Sequence, residues 1–314
     1  MLAIGKIAVG LLASSMVLAL VGPVLGEVVA CQPPFFPRES ITPLTEWDIP
    51  FEDVSFATSG GLTLRGWFVP AEEPDAPAVF YAPATAHDQR SGLSLVPALH
   101  AAGYHVLLFS YRGHARSDGP SWGFTYGAGE SYDVDAAARF LFETRGIRRI
   151  AAIGHSAGAV SSIISAARNP RIGAVVAVAP YNDVAEVWQT STPPVVPAFI
   201  LEWSLRLAEK RKGFDRAEVY PVGVVDRIAP RPLLLIHGTC DRRITQEQAL
   251  RMFDAAREPK SLWLVHGATH AGIRTPTLDD MMPGVIAFLD AALRPEDQQA
   301  VLPLPHPGKA IAAD

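Results

Sequence analysis

The pentapeptide Gly154-His155-Ser156-Ala157-Gly158 sets one serine between two glycines. The apolar run Ile150-Ala151-Ala152-Ile153 leads into it and the small-residue run Ala157-Gly158-Ala159-Val160 leads out. A strand that turns at once into a helix needs a tight bend with small neighbours, a demand that Gly154 and Gly158 meet. Such a bend lifts the serine hydroxyl to the carboxyl end of a sheet and aims a helix N-terminus at it. Ser156 is therefore the candidate nucleophile.

A neutral serine needs a base, and the base needs a carboxylate to fix its tautomer and stabilise its cation. Of the nine histidines, His270 stands in the small-residue loop Gly267-Ala268-Thr269-His270-Ala271-Gly272, after the last apolar run. An imidazole there reaches across the top of a sheet. His266, at the end of that run, is its rival. Asp241 follows Leu233-Leu234-Leu235-Ile236-His237 and the turn Gly238-Thr239-Cys240, again at the carboxyl end of a strand, and Asp183 is the alternative acid. The first donors of the helix after Ser156 begin with the N–H of Ala157, which suits an anionic intermediate.

Other chemistries fit less well. His266 and His270 are four apart, but in a glycine-containing loop and without a glutamate in the H-E-x-x-H place, so no metal is expected. Cys31 and Cys240 are too few for a thiolate zinc cluster or a disulfide scaffold. Phosphate-loop and dinucleotide fingerprints are missing from the sequence, and no cofactor is expected. Lys and Arg number 27 against 32 Asp and Glu, a net charge of −5, which does not suit a nucleic-acid partner.

The elements that must position these residues start near Phe51. Residues 51–57 and 62–69 form strands joined at Ser59-Gly60-Gly61, a hairpin signal. Strands are expected over 78–82, 104–110, 149–153, 172–179, 232–237 and 261–265, and helices over 91–102, 131–145, 157–167, 246–256 and 281–293. The alternation implies a mostly parallel central sheet with helices on both faces, opened by an antiparallel hairpin. Residues from about 181 to 228 break the alternation with apolar, partly helical text, which predicts a small cap. Trp188, Val195, Val196, Phe199, Ile200, Leu201 and Trp203 are placed to line an apolar entrance or to pack that cap onto the body.

Residues 7–26 carry no charge, with Lys6 before them and Glu27 after. At about 1.5 Å per residue, such a run spans about 30 Å, the thickness of a bilayer core. An uncleaved anchor, a cleaved signal peptide and a lipoprotein signal ending at Cys31 are the competing readings of residues 1–30. Each makes the protein membrane-anchored or exported, with its catalytic domain, 51–293, on the extracytoplasmic side. Residues 31–50, with Pro33, Pro34 and Pro37, are expected to run as an extended linker, and 294–314 as a disordered tail.

Together these residues resemble the α/β-hydrolase superfamily, whose chain order is also Ser, Asp, His. More narrowly the chain is similar to the superfamily's membrane-anchored monoacyl-ester hydrolase and serine-aminopeptidase-like branches. The resemblance spans about Phe36 to Leu293. It includes Gly61-Leu62-Thr63-Leu64-Arg65-Gly66-Trp67-Phe68-Val69-Pro70 and Pro232 to Asp241, similar to P-x-L-x-x-H-G-x-x-D. It also includes Tyr111-Arg112-Gly113-His114-Ala115-Arg116-Ser117, in which Ala115 replaces the second glycine of R-G-x-G-x-S. The family's His-Gly after its third strand is replaced by Pro83-Ala84-Thr85-Ala86. By position, the resemblance makes the N–H groups of Ala157 and Thr85 the oxyanion donors, with His87 near enough to enter the site instead. It implies a serine hydrolase, and the apolar cap text points to a small-molecule carboxylic ester with an apolar acyl or alcohol part, touched by Trp188, Phe199 and Trp203. A serine peptidase on the same fold and a non-catalytic binding protein are the alternatives.

Overall fold

The computed structural model describes residues 41–120, 124–273 and 277–294. Eight strands form one sheet: β1 (Glu52–Ala57), β2 (Thr63–Val69), β3 (Ala78–Ala82), β4 (His105–Ser110), β5 (Ile150–His155), β6 (Ala174–Val178), β7 (Leu233–Gly238) and β8 (Lys260–Val265). They lie in the order β1-β2-β4-β3-β5-β6-β7-β8. Strand β2 is antiparallel to both β1 and β4, and every later pairing is parallel. This is the α/β-hydrolase fold. Strands β3 to β7 are continuous apolar runs because both of their faces are covered.

Alternation along each strand sends side chains to two cores. On one face Phe80, Ala152 and Leu235 meet Val134, Ile163 and Met252. These come from helices α3 (Ala128–Arg139), α4 (Ala157–Arg168) and α7 (Gln246–Ala255). On the other face Val79, Ile153 and Leu234 meet Leu99 and Phe288. These come from α2 (Val96–Ala101) and α8 (Thr277–Leu293).

Several local boundaries differ from the sequence expectation. Within the stretch expected to run extended, Thr42 caps a short helix, α1 (Pro43–Trp47). The helix expected from Ser91 starts as a 3₁₀ segment, Gln89–Leu95, because the Asp88 side chain caps it through the Arg90 N–H. Helix α3 begins at Ala128 rather than Ser131. Its signal is the buried Glu130, whose carboxylate accepts from the N–H groups of Thr125 and Gly127 and from the Thr125 hydroxyl. Arg294 belongs to the body and not to a tail, since it donates to the carbonyls of Ala102 and Gly103. The expected N-terminal segment and the rest of the expected tail lie outside the described residues. No helix among the described residues is long and apolar enough to cross a membrane.

Between β6 and β7 the chain forms α5 (Val184–Ser191), α6 (Ala198–Lys212) and three short 3₁₀ turns. Leu205 and Ala208 of α6 and Val184 and Trp188 of α5 join a third apolar cluster with Ala157, Val160, Phe124 and Tyr126. This stretch therefore covers the carboxyl end of the sheet, above Ser156.

Candidate active site

Ser156 sits at the end of β5 with φ 54° and ψ −117°, a backbone conformation that an L-residue holds only under tertiary constraint. Its N–H donates to the Val178 carbonyl and its carbonyl accepts from Val160, so the bend is tied at both ends. The two glycines have separate steric reasons. A Cβ on Gly154 would lie 2.4 Å from the Gly158 carbonyl oxygen, and one on Gly158 would lie 2.0 Å from the Ala82 carbonyl oxygen. The bend is therefore clamped against its own helix and against the loop after β3.

His270 and Asp241 meet Ser156 at this point. His270 Nδ1 donates to Asp241 Oδ2 at 2.7 Å, and His270 Nε2 lies 3.2 Å from Ser156 Oγ. The other oxygen of Asp241 accepts from the N–H groups of Arg243 and Ile244, each at 2.9 Å. Burial alone would raise the Asp241 carboxyl. The hydrogen bond and charge of His270, with the two backbone N–H groups, outweigh it and hold the carboxyl below its ordinary value.

The rivals lie elsewhere. Asp183 caps α5 by accepting from the Glu186 N–H at 2.8 Å. His266 is exposed just beyond β8. His87 turns back on its own loop, with Nδ1 at 2.8 Å from the Thr85 carbonyl. That loop is a tight turn, closed by the His87 N–H on the Ala84 carbonyl, and Ala86 takes a left-handed φ of 62°. Thr85 and Ala157 sit on the two segments that Gly158 holds in contact.

Two supporting histidines are not distinguishable from core residues in the sequence. His155 donates from Nε2 to the His270 carbonyl at 3.3 Å, and the two imidazoles lie 5.2 Å apart. His237 is fully buried and donates from Nε2 to the Ile244 carbonyl at 2.8 Å, closing the loop that carries Asp241. Burial lowers the His237 imidazole and keeps it neutral, so it adds no second charge beside Asp241.

The three candidate substrate-contact residues separate. Trp188 is buried beside Tyr126, ring centroids 6.1 Å apart, in the apolar cluster that includes Ala157. The Tyr126 carbonyl accepts from the Tyr181 hydroxyl, which ties this wall to the strand beside Ser156. Phe199 and Trp203 are exposed on the outer face of α6, which corrects their expected place in an entrance. Helix α6 turns Ile200, Ser204, Leu205 and Ala208 inward, so positions 199 and 203 must point out.

The chain is 31% identical over 243 residues to an uncharacterized protein of Mycobacterium tuberculosis, covering 75% of this chain and 78% of that one. It is 24% identical to a polyketide transferase of a Penicillium species, covering 72% of this chain and 92% of the transferase. An esterase of Pyrococcus furiosus superposes with a TM-score of 0.67 at 20% identity, covering 83% of this chain and 99% of the esterase. Residues 92–293 match the prolyl oligopeptidase family, and this match takes in Ser156, Asp241 and His270. The chain is thus a serine hydrolase of the α/β-hydrolase superfamily and belongs to the prolyl oligopeptidase family.

Proposed function

We propose that this protein hydrolyses carboxylic esters through an acyl-enzyme on Ser156. The observation that carries the reading is the placement of one imidazole between Ser156 and Asp241, beside the apolar cluster that includes Ala157. Ser156 Oγ attacks the ester carbonyl carbon while its proton passes to His270 Nε2. Asp241 stabilises the imidazolium that forms. The N–H groups of Ala157 and Thr85 hold the oxyanion, and the N-terminus of α4 adds a favourable field. Collapse breaks the acyl–oxygen bond, and His270 returns the proton to the leaving alcohol. Water then attacks the acyl-enzyme by the same route and releases the acid.

Phe124, Tyr126, Val160, Val184 and Trp188 pack with Ala157 in a buried apolar cluster beside the nucleophile, a setting that favours an apolar acyl group over a charged one. The polyketide transferase and the esterase to which this chain is similar support acyl chemistry at an ester. The family match favours a second reading, a serine peptidase acting on short peptides through the same residues. A panel of p-nitrophenyl esters and aminoacyl amides separates the two. Turnover of esters but not amides is expected, lost by about a thousandfold or more in Ser156→Ala with folding retained. Faster turnover of amides would establish the peptidase reading. The uncharged run 7–26 supports an extracytoplasmic domain held at or exported across a membrane. Mass spectrometry of the mature N-terminus tests it.

A further inference from the structure

Helix α6 carries two unlike faces. Its inner face packs into the cluster beside Ala157 and Trp188. Its outer face shows Phe199 and Trp203, 53% and 52% exposed, with ring centroids 6.4 Å apart, and the loop before it lifts Val195 to 84% exposure. At 100° per residue, Phe199, Trp203, Arg206 and Lys210 fall within one narrow stripe along the helix. The stripe is apolar and aromatic at its N-terminal end and basic at its C-terminal end, where Arg206 and Lys210 are both exposed. Pro193, Pro194 and Pro197 restrict the loop that presents Val195.

We propose that Val195, Phe199 and Trp203 seat this cap in a lipid bilayer surface, with the basic end of α6 on anionic headgroups. Three observations on the chain favour lipid over a second protein copy. The order of chemistry matches depth in an interface: an aliphatic tip, a phenyl ring, an indole at headgroup level, then ammonium and guanidinium groups against phosphates. Glu202 and Glu209, the acidic residues beside the stripe, are paired with Arg206 and Arg216: Glu202 with Arg206 at 2.7 Å and Arg216 at 2.6 Å, and Glu209 with Arg216 at 3.3 Å, so they add no net repulsion of an anionic surface. Fourteen residues, 27–40, lie between the uncharged run 7–26 and the first described residue, Ile41. Those 14 residues, at about 3.3–3.6 Å each, reach at most about 46–50 Å. A bilayer that holds the run therefore stays within about 50 Å of Ile41.

Seating the outer face of α6 turns the covered end of the sheet toward the lipid. An ester with an apolar acyl chain then reaches Ser156 from the bilayer, without crossing water. The identity of that delivered molecule rests on the ester reading, whereas the seat does not.

The test uses the full chain, with Cys31→Ser and Cys240→Ser, reconstituted in vesicles of phosphatidylcholine and phosphatidylglycerol with brominated acyl chains. A fluorophore goes on Val195→Cys, or on Glu72→Cys between β2 and β3 at the opposite end of the sheet. Brominated chains should quench the label at 195 at least threefold more than the label at 72. Adding Phe199→Ser and Trp203→Ser should reduce quenching at 195 at least twofold. In the unlabelled chain, W203F should remove part of the bromine-quenched tryptophan emission. Equal quenching at 195 and 72 overturns the proposal, as does full quenching retained in the serine double variant. Protection of 195 from aqueous iodide without bromine quenching means that a second protein copy covers the ridge, and overturns it as well. Turnover is not part of this readout. A chain that docks but cleaves no ester sinks only the ester reading, and one that cleaves esters but does not dock sinks only the seat.

Discussion

The imidazole of His155 lies against that of His270, planes inclined by 33°, and its Nε2–H donates to the His270 carbonyl. The residue before the nucleophile thus holds the residue that would deprotonate it. His270 sits on a loop with no strand or helix of its own, so its rotamer depends on such neighbours.

His155→Phe keeps a flat ring in this place and removes the hydrogen bond. Misplacing a catalytic group by a fraction of an ångström to an ångström costs about ten- to a hundredfold in rate. The variant should lose kcat on this scale while KM and the thermal midpoint change little. A fall in KM-limited binding with kcat intact would mean that His155 acts on substrate and not on His270.

Asp241→Asn tests the carboxylate. The asparagine oxygen can still accept from the Arg243 and Ile244 N–H groups, but its amide presents N–H to His270 Nδ1 and favours the wrong tautomer. Turnover should fall by about 10⁴-fold. The native carboxyl is held below its unfolded value. Its contribution to stability is therefore complete above about pH 4 and is lost as pH falls through the lower native value. Thermal midpoints measured from pH 6 to pH 2 should show a smaller acid decline in Asp241→Asn than in the parent. Parallel curves would show that the carboxylate is not stabilised by folding.

Ala115 stands at φ 47°, where the resembling R-G-x-G-x-S pattern has glycine. The loop is otherwise well tied, by the Arg112–Asp133 ion pair at 2.7 Å and by the Ser117 hydroxyl donating to Ser110. The left-handed conformation costs an L-residue roughly 1–2 kcal/mol. Ala115→Gly relieves it, offset in part by greater freedom of the unfolded chain. A net gain of about 0.5–1 kcal/mol in urea denaturation is expected. A loss of stability would mean that the alanine methyl is packed strongly enough to outweigh the strain.

Trp188 and Trp203 should separate cleanly. Trp188→Ala opens a hole in the cluster under the cap and should cost about 3–5 kcal/mol. Trp203→Ala removes a half-exposed ring on the outer face of α6 and should change folding stability by no more than about 0.5 kcal/mol. Denaturant midpoints with equal slopes decide it. Similar losses at both positions would mean that Trp203 packs on a part of this chain.

The amino-acid sequence by itself determined the sheet, because apolar runs of strand length alternate with helical periodicity from Ala78 onward and each run is bounded by turn residues. It also determined Ser156, Asp241 and His270 as candidates, since each follows an apolar run and parallel strands present all such ends on one side. It left His266, Asp183 and His87 open, because every loop at that end has the same local signal. Only the tertiary structure separated them. Which loop side chain reaches Ser156 depends on strand order, which places β8 beside β7 and β7 beside β6, and no local pattern encodes that order. The same holds for Glu130, whose buried carboxylate starts a helix across a Gly-Ala-Gly stretch that looks like a breaker. It holds again for the cap. Its apolar residues are indistinguishable by type, and the face of α6 that meets the body, set by contacts distant in sequence, buries Trp188 and leaves Phe199 and Trp203 outside.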